Sequence, residues 1–327
     1  MFDIAAPQKL ISAVPALLGF RPERSLVLLT VTGGSLGAVM RIDLGAHTAE
    51  ESGRLAVVAA GQDADGAIVV IVDPHGEDRS HTQLIDTLGE ALVIRGIQLL
   101  GAYVVDDIAA GGRWHCPDGC GVGGTLEDPA AGVLAAAAVF DGRRLYRNRG
   151  EMQSLVAQDP TTVEKVRAAL TAGSAPTDPR EAVELVIAAA RALADGAAPT
   201  ADEMAAAATV LLDKQVRDML LAIALTGDNR AAEAYWAMLA RSLPAPWRVE
   251  ALALLAVYAF MRAEGPLAGI ALDAALQDDA SHSLASMLEV ALQSGMKPTD
   301  IRALAELGYR LASEAGVNLP AQLEKTA

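Results

Sequence analysis

The sequence predicts two domains, an α/β domain over residues 1–155 and an all-helical domain over residues 156–327. Three observations lead to this prediction. Strand-like and helix-like segments alternate over the first 115 residues, strand patterns stop after about residue 126, and alanine-rich segments with helix-capping residues follow. Strand–helix–strand units of these lengths predict a mostly parallel sheet with helices on both faces.

The first strands predict a β-hairpin. The apolar, β-branched run 25–31 is followed by Gly33 and Gly34, which supply turn chemistry, and by a second run over 37–44. A helix follows over about residues 48–60. The run 67–73 is apolar on both faces, which predicts a central strand covered on both sides. An amphipathic helix over about residues 80–95, a strand over 99–106 and a short strand within 111–115 complete the domain.

Capping residues mark the helix starts of the second domain. The patterns are Thr161 with Glu164, Asp178 with Glu181, and Thr200 with Glu203, and Pro179 fits the first helical position after an Asp178 cap. Further on, helices are predicted over 229–241, 247–262, 266–276 and 282–293. They form two units close to the helical-hairpin repeat length of about 34 residues. The segment 267–276 partly resembles a tetratricopeptide unit, so an ordinary helical bundle and an α-solenoid both remain open.

Composition excludes several classes of protein. Hydrophobic residues make up 52% of the chain and charged residues 20%, which excludes disorder for most of it. The formal net charge of −15 excludes a general binder of duplex nucleic acid, which needs a broad basic face. The longest apolar run, 251–261, rises about 16 Å as a helix, roughly half of a bilayer core, so no membrane span is expected. Pro15 interrupts the only stretch resembling a signal sequence, and the expected compartment is the cytoplasm.

Several segments together resemble an actinobacterial family catalogued as domain of unknown function 4192. The segments are Pro15–Val27 with its Leu-Leu-Gly-Phe-Arg-Pro string, Arg41–Leu44, Arg113-Trp114 leading into Cys116 and Cys120, Gly124-Thr125, 253–265 and 284–295. The resemblance covers nearly the whole chain. It implies the two-part fold and a bacterial cytosolic protein, and it implies no activity. This chain departs from the family at the cysteine loop, where Gly121 follows Cys120 in place of a second adjacent cysteine.

Aspartates end three successive predicted strands. They are Asp43, Asp73 and Asp106, with Asp107 beside the last and His75 just after the second. Because ligands bind where parallel strands end, these side chains are candidate ligand contacts at the carboxyl edge of the sheet. Converging carboxylates suit Mg²⁺, and His75 and His81 could act as acid or base. Aspartate is also an ordinary turn and capping residue, so purely structural roles remain open.

The cysteine loop is the second candidate site. Cys116 and Cys120 lie four residues apart, and a structural zinc site needs four ligands. His115 and Cys116 are neighbours on an extended segment and so point to opposite faces. We therefore expect a metal-free loop packed by Trp114. A reactive thiol or a regulatory disulfide between the two cysteines is the alternative.

The third candidate is a local reversal of charge. Four arginines lie within seven residues, and guanidinium groups suit phosphate or carboxylate ligands. The alternative is a solvated helix end paired with acidic groups of the same chain. The four residues are Arg143, Arg144, Arg147 and Arg149.

Two classes of function remain. The first hypothesis is a non-enzymatic binding or adaptor protein whose helical half contacts a protein or peptide. The second is a metal-dependent binder of a phosphate ligand, or a phosphoryl hydrolase, with its site at the carboxyl edge of the N-terminal sheet. The sequence contains neither a P-loop nor a Gly-x-Ser-x-Gly elbow. No complete catalytic set is visible, which favours the first hypothesis and leaves no cofactor assigned.

Overall fold

The structure is a computed structural model that describes residues 6–75, 79–140, 142–172 and 176–323. Its internal contacts divide the chain into two compact units, the first ending at Met152 and the second beginning at Gln153. The first unit contains the sheet and the second is helical, which is the predicted fold class. The boundary after residue 155 stays a prediction of where two independently folding domains meet.

The N-terminal unit is built from six strands and five helices within the described residues. In chain order these are α1 (Pro7–Leu18), β1 (Ser25–Thr32), β2 (Ser35–Asp43), α2 (Thr48–Gly61), β3 (Gly66–Val72), α3 (Arg79–Val93), β4 (Gln98–Val105), β5 (Arg113–His115), β6 (Gly123–Thr125), α4 (Val133–Phe140) and α5 (Arg149–Gln153).

The predicted hairpin is present between β1 and β2. Gly33 and Gly34 both have positive φ, 57° and 77°, as a two-residue hairpin turn requires. The register then shifts, because Leu29 pairs with Val39 but Val31 pairs with Leu36. β2 therefore carries one extra residue, a β-bulge.

The expectation of a mostly parallel sheet is wrong. The strand order is β2-β1-β3-β4-β5-β6, and β3 with β4 is the one parallel pair among the described strands. The reason is that β1 lies between β2 and β3 and is antiparallel to both. The helical connections still act as expected, since β2, β3 and β4 all run in the same direction and end at the same edge, the carboxyl edge.

The core of this unit lies between the sheet and helices α2 and α3. Every residue of β3 is buried, as the apolar run predicts for a central strand. Leu26 and Leu28 of β1 pack with Leu55 of α2 and Leu88 of α3 in one buried cluster. The two helices that follow β2 and β3 therefore pack on the sheet, and each begins near the carboxyl edge at which the preceding strand ends.

The C-terminal unit is helical throughout its described elements. These are α6 (Pro160–Ala172), α7 (Pro179–Ala194), α8 (Ala201–Leu211), α9 (Lys214–Leu220) with a 3-10 turn over Leu221–Leu225, α10 (Asn229–Ser242), α11 (Trp247–Met261), α12 (Gly265–Asp278), α13 (Ser283–Gln293) and α14 (Pro298–Glu314). The four predicted late helices correspond to α10–α13. The tetratricopeptide likeness stays a prediction.

Two of the three predicted caps are present. Asp178 accepts the N–H of Arg180 at 2.9 Å, and Thr200 with Glu203 forms a reciprocal capping box. The predicted start at Thr161 is wrong. α6 begins at Pro160, and Asp159 accepts the N–H of Thr161 at 3.1 Å. An Asp-Pro pair thus opens α6 as it opens α7, because proline fits the first helical position after an aspartate cap.

Helix α11 is the centre of the C-terminal unit. Its residues from Arg248 to Phe260 are all buried, and it packs against α8, α10, α12, α13 and α14. The apolar run 251–261 predicts this, because a helix that is apolar on all sides needs neighbours on all sides.

Candidate functional site

The three strand-end aspartates lie at the carboxyl edge. Asp43 pairs with Ser25 of β1, and Ser25 also pairs with Val72, the residue before Asp73. Val72 in turn pairs with Val105, the residue before Asp106. The direction of the strands therefore brings these three backbone positions to one edge even though the sheet is mixed.

Asp43 and Asp106 have local partners, and Asp107 pairs with an arginine far away in the sequence. Asp43 is exposed and pairs with Arg41 two residues away. Asp106 accepts the N–H groups of Asp107 and Arg113, both at 2.7 Å, which fixes the turn after β4. Asp107 lies 3.5 Å from a guanidinium nitrogen of Arg21. Within the described residues, these carboxylates belong to no group of three metal-ligating side chains, and the Mg²⁺ site stays a prediction.

Asp73 is the buried member of the three. Its Oδ1 accepts the N–H of His75 at 3.1 Å, and its Oδ2 lies 3.1 Å from Nε2 of His81 on α3. His81 is 5% exposed, and its Nδ1 is buried with no hydrogen-bond partner among the described residues. The ring of His75 is exposed. Within the part of the chain that the structure describes, the buried pair therefore contains one polar atom that makes no hydrogen bond.

This pair lies at a cleft of about 490 Å³ in the N-terminal unit. The volume is within the range of small-molecule sites. One wall is the loop from β2 into α2, and the other is the first half of α3. The lining residues are Arg24, Leu44, Gly45, Ala46, Thr48, Ala49, Asp73, His81, Gln83, Leu84 and Thr87.

Arg24 supplies the positive charge of the cleft. Its carbonyl accepts the N–H of Leu44 at 2.8 Å, whereas its guanidinium has no partner among the described residues. Arg24 also adopts a φ of 41°, which is uncommon for a residue other than glycine. Asp63 and Ala263, which are outside the cleft lining, also have positive φ, so this conformation by itself does not mark a ligand site.

The threonine hydroxyl groups of the cleft already donate hydrogen bonds to the backbone. Thr48 donates to backbone carbonyls at the end of β2, and Thr87 donates to the carbonyl of Gln83 at 2.8 Å. Neither is a free nucleophile. Of the described lining residues, the groups left to meet a ligand are the guanidinium of Arg24, the amide of Gln83 and the His81 ring.

The arginine segment lies against other parts of the unit. Arg144 and Arg147 pair with Glu151, and Arg144 also stacks over Tyr146 at 4.9 Å. The backbone N–H of Arg147 is the main reason that the pKa of Glu151 lies below its ordinary value. Among the described residues that line the cleft, none comes from Arg143–Arg149. A phosphate site shared by this segment and the aspartates stays a prediction.

The cysteine loop joins β5 to β6. Cys116, Asp118 and Cys120 each place one ligand atom within 4.8 Å of the other two. Burial raises the pKa of Cys116 to about 11, helped by its hydrogen bond with Cys120 and the negative charge of its neighbours. The Cys120 side chain holds the pKa of Asp118 below its ordinary value. Both cysteines are free thiols.

Sequence reasoning missed two residues of these sites. Arg24 stands inside the Pro15–Val27 segment, but only the fold shows that the turn into β1 places it at the cleft. Asp118 stands midway between the two cysteines, a spacing that was available as a signal.

The family model described as Domain of unknown function (DUF4192) matches residues 7–299. The chain belongs to the DUF4192 family. The match includes both the cleft and the cysteine loop. Neither a curated protein nor a solved structure matches this DUF4192 chain. Every helix in the described ranges is too short or too polar to cross a bilayer.

Proposed function

We propose that the N-terminal unit of this DUF4192 protein binds a small anionic ligand that also carries a hydrogen-bond donor. The observation that carries the proposal is Nδ1 of His81, which has no hydrogen-bond partner among the described residues and is buried at a cleft that also contains the guanidinium of Arg24. Binding needs only these groups, whereas catalysis needs a reacting group as well.

The hydrogen bond to Asp73 selects the tautomer of His81. In the neutral imidazole, the Asp73 carboxylate, which only accepts, requires the proton on Nε2, and Nδ1 is then an acceptor. A buried acceptor without a donor costs about 1–3 kcal/mol. A ligand hydroxyl or amine at Nδ1 would recover that free energy.

The anionic part of the ligand is inferred from the guanidinium of Arg24, because the other charged group of the described lining, Asp73, is already paired with His81. Arg24 presents a planar donor group that suits phosphate or carboxylate. The N–H groups of Thr48, Glu50 and Glu51 at the start of α2 already donate to carbonyls of the preceding loop, so the contact with the anion is assigned to Arg24. Hydroxylated phosphates and carboxylates, such as sugar phosphates and hydroxy acids, fit both requirements.

The Asp73–His81 pair also favours a second candidate, hydrolysis of a phosphoester. Nδ1 is buried, so this activity requires a movement that brings it into contact with water, from which an oriented imidazole can take a proton. Since the cleft threonines are occupied, water would be the nucleophile. Phosphate release that is lost in His81→Gln while ligand binding and the melting temperature are kept would identify this activity.

The test of binding is a thermal-shift and calorimetric screen against inorganic phosphate, sugar phosphates, nucleoside monophosphates and hydroxy acids. A true ligand raises the melting temperature by mass action, by several degrees at about 100 times its Kd. We expect Arg24→Gln to weaken binding about tenfold, the loss typical of a charge-assisted hydrogen bond. His81→Gln should weaken binding about fivefold, since a neutral hydrogen bond is worth less.

Two matched variants serve as controls. Arg54→Gln removes the same charge from α2 at an exposed position outside the cleft lining, and His115→Gln replaces an exposed histidine. Both should bind as the wild type does. Failure of every compound in the screen to bind, or equal losses in Arg24→Gln and Arg54→Gln, would contradict the proposal.

A protein partner on the helical unit stays a prediction, as does the cytoplasmic location. The exposed apolar residues available to such a partner include Met287 and Val290, three residues apart on α13. Nothing in the described residues identifies what would cover them.

A further inference from the structure

The loop between β5 and β6 brings two thiols and a carboxylate together by local geometry. The N–H of Cys116 donates to the carbonyl of Val122 at 2.8 Å, which continues the ladder of the hairpin past β5. The N–H of Cys120 donates to Oδ1 of Asp118 at 3.0 Å, and Gly119 has a φ of 78°. The chain therefore turns back on itself, so that Cys120 faces Cys116 with Asp118 between them.

The separations are close to those of a metal centre. The three ligand atoms lie within 4.8 Å of one another. Zinc binds sulfur at about 2.3 Å and carboxylate oxygen at about 2.0–2.2 Å, so tetrahedral ligands stand about 3.5–3.8 Å apart. A contraction of about 1 Å, within reach of side-chain rotation in an exposed loop, would place all three on one ion.

We propose that Cys116, Asp118 and Cys120 form a binding site for a thiophilic divalent cation of the zinc class. Two thiolates select soft and borderline ions over Mg²⁺ and Ca²⁺, and a carboxylate is an accepted third zinc ligand. Binding replaces the two thiol protons, which pass to solvent. The fourth position of the tetrahedron is taken by water, because Asp118 and Cys120 are exposed.

The expectation of a metal-free loop rested on a count of two thiols against four required ligands. Asp118 changes that count to three, which is the number of protein ligands in open zinc sites. His115 remains outside the group. A bound ion would stabilise the loop of the β5–β6 hairpin, because the two strands are only three residues long and pair over a short distance. The inference is independent of the cleft and of any ligand bound there.

The experiment is a titration of the reduced full-length protein with Co²⁺ under anaerobic conditions, followed by displacement with Zn²⁺. We expect one equivalent of Co²⁺ to produce a thiolate-to-cobalt charge-transfer band and the visible bands of tetrahedral cobalt. One equivalent of Zn²⁺ should remove them. Elemental analysis after gel filtration should then find about one zinc per chain, as one site requires.

Substitutions test whether the cobalt absorption bands and the zinc binding depend on the three side chains. Cys116→Ser with Cys120→Ser should abolish the charge-transfer band. Asp118→Asn keeps an oxygen for the N–H of Cys120 but removes the anionic ligand, and should weaken zinc binding by at least about tenfold. The control is Asp128→Asn, since Asp128 is an exposed aspartate that accepts the N–H of Ala130 in the same kind of turn.

The proposal is overturned if the reduced protein binds no cobalt, or if it binds cobalt without a charge-transfer band. Unchanged zinc binding in the double serine variant also overturns it. So does equal weakening in Asp118→Asn and Asp128→Asn. Thiol counting before each titration shows that both cysteines are reduced, so that a disulfide accounts for none of these results.

Discussion

Among the described residues, a buried carboxylate pairs with a histidine in each of the two units, and the two pairs differ in how the histidine is used. In the C-terminal unit, Nε2 of His282 lies 3.2 Å from Glu250, and Nδ1 accepts the N–H of Ala285 at 3.2 Å. Both ring nitrogens are occupied, and His282 caps α13. The corresponding Nδ1 of His81 is unpartnered among the described residues. Both ring nitrogens of His282 therefore have structural partners, whereas a ligand could supply the partner for Nδ1 of His81.

Glu250 gives a prediction at the scale of one residue. It also pairs with the buried Arg217 at 3.1 Å. Burial by itself raises the pKa of Glu250, but the hydrogen bond from His282 and the charge of Arg217 outweigh it, so the pKa lies below its ordinary value. Replacement by Gln leaves Arg217 with Asp218 as its remaining acid. We expect Glu250→Gln to lower the free energy of unfolding by about 3 kcal/mol at pH 7.

The pH dependence of stability follows from the lowered pKa of Glu250. A carboxyl with a lowered pKa in the folded state contributes stability above its unfolded pKa of about 4.5 and loses it as the pH falls further. Urea unfolding should therefore show a steeper loss of stability below about pH 4.5 in the wild type than in Glu250→Gln. Glu184→Gln, which removes an exposed pair with Arg180, should change stability by less than about 0.5 kcal/mol. Parallel pH profiles for the wild type and Glu250→Gln would contradict the prediction.

At the scale of elements, glycines show where helices approach each other closely. A Cβ at Gly308 of α14 would lie 2.3 Å from the carbonyl oxygen of Asp218 in α9. Gly53 of α2 has open space around the same position. The two residues share a helical backbone but differ in the neighbour that a methyl group would meet.

That difference predicts that replacing glycine by alanine changes the stability of the protein in opposite directions at the two positions. Gly53→Ala should stabilise the protein by about 0.5–1 kcal/mol, because alanine is the better helix former. Gly308→Ala gains the same propensity but forces α14 away from backbone atoms, and should destabilise by about 1–3 kcal/mol overall. Thermal and urea unfolding of each variant, compared with the wild type, shows whether its free energy of unfolding rises or falls. A stabilised Gly308→Ala would show that α14 does not pack this closely on α9.

At the scale of the whole molecule, the C-terminal unit is organised around α11. Leu255 in its middle is 1% exposed, whereas Leu212 after α8 is 43% exposed. An aspartate at position 255 would place an unpaired charge among hydrocarbon, which a folded protein does not tolerate.

We therefore expect Leu255→Asp to abolish soluble, cooperatively folding protein. Leu212→Asp makes the same chemical change at the surface and should leave the yield and the unfolding transition close to those of the wild type. Expression yield, circular dichroism and thermal unfolding test the pair. A well-folded Leu255→Asp would mean that α11 lies at the surface.

The elements could be predicted from the sequence more fully than their arrangement. Hydrophobic periodicity and the Gly33-Gly34 turn are local signals, and they predict the hairpin, the central strand and the late helices. The pairing of β1 with β3 joins residues about 40 positions apart, and no local pattern records it. Strand direction predicts that Asp43, Asp73 and Asp106 share an edge. Which side chains then meet depends on loop geometry, and so Arg24 and Asp118 were missed.

The bulge in β2 has a consequence for solubility. β2 is the outermost strand at one side of the sheet and has nine residues, so its free backbone groups could pair with a strand of another molecule. The extra residue in β2 breaks the regular spacing of those backbone groups. At the bulge, the hydroxyl of Thr30 donates a hydrogen bond to the carbonyl of Ala38 at 3.1 Å. At the opposite side, β6 is too short to template such pairing. Both exposed flanks of the sheet thus resist intermolecular strand addition, which protects a chain this apolar from aggregation.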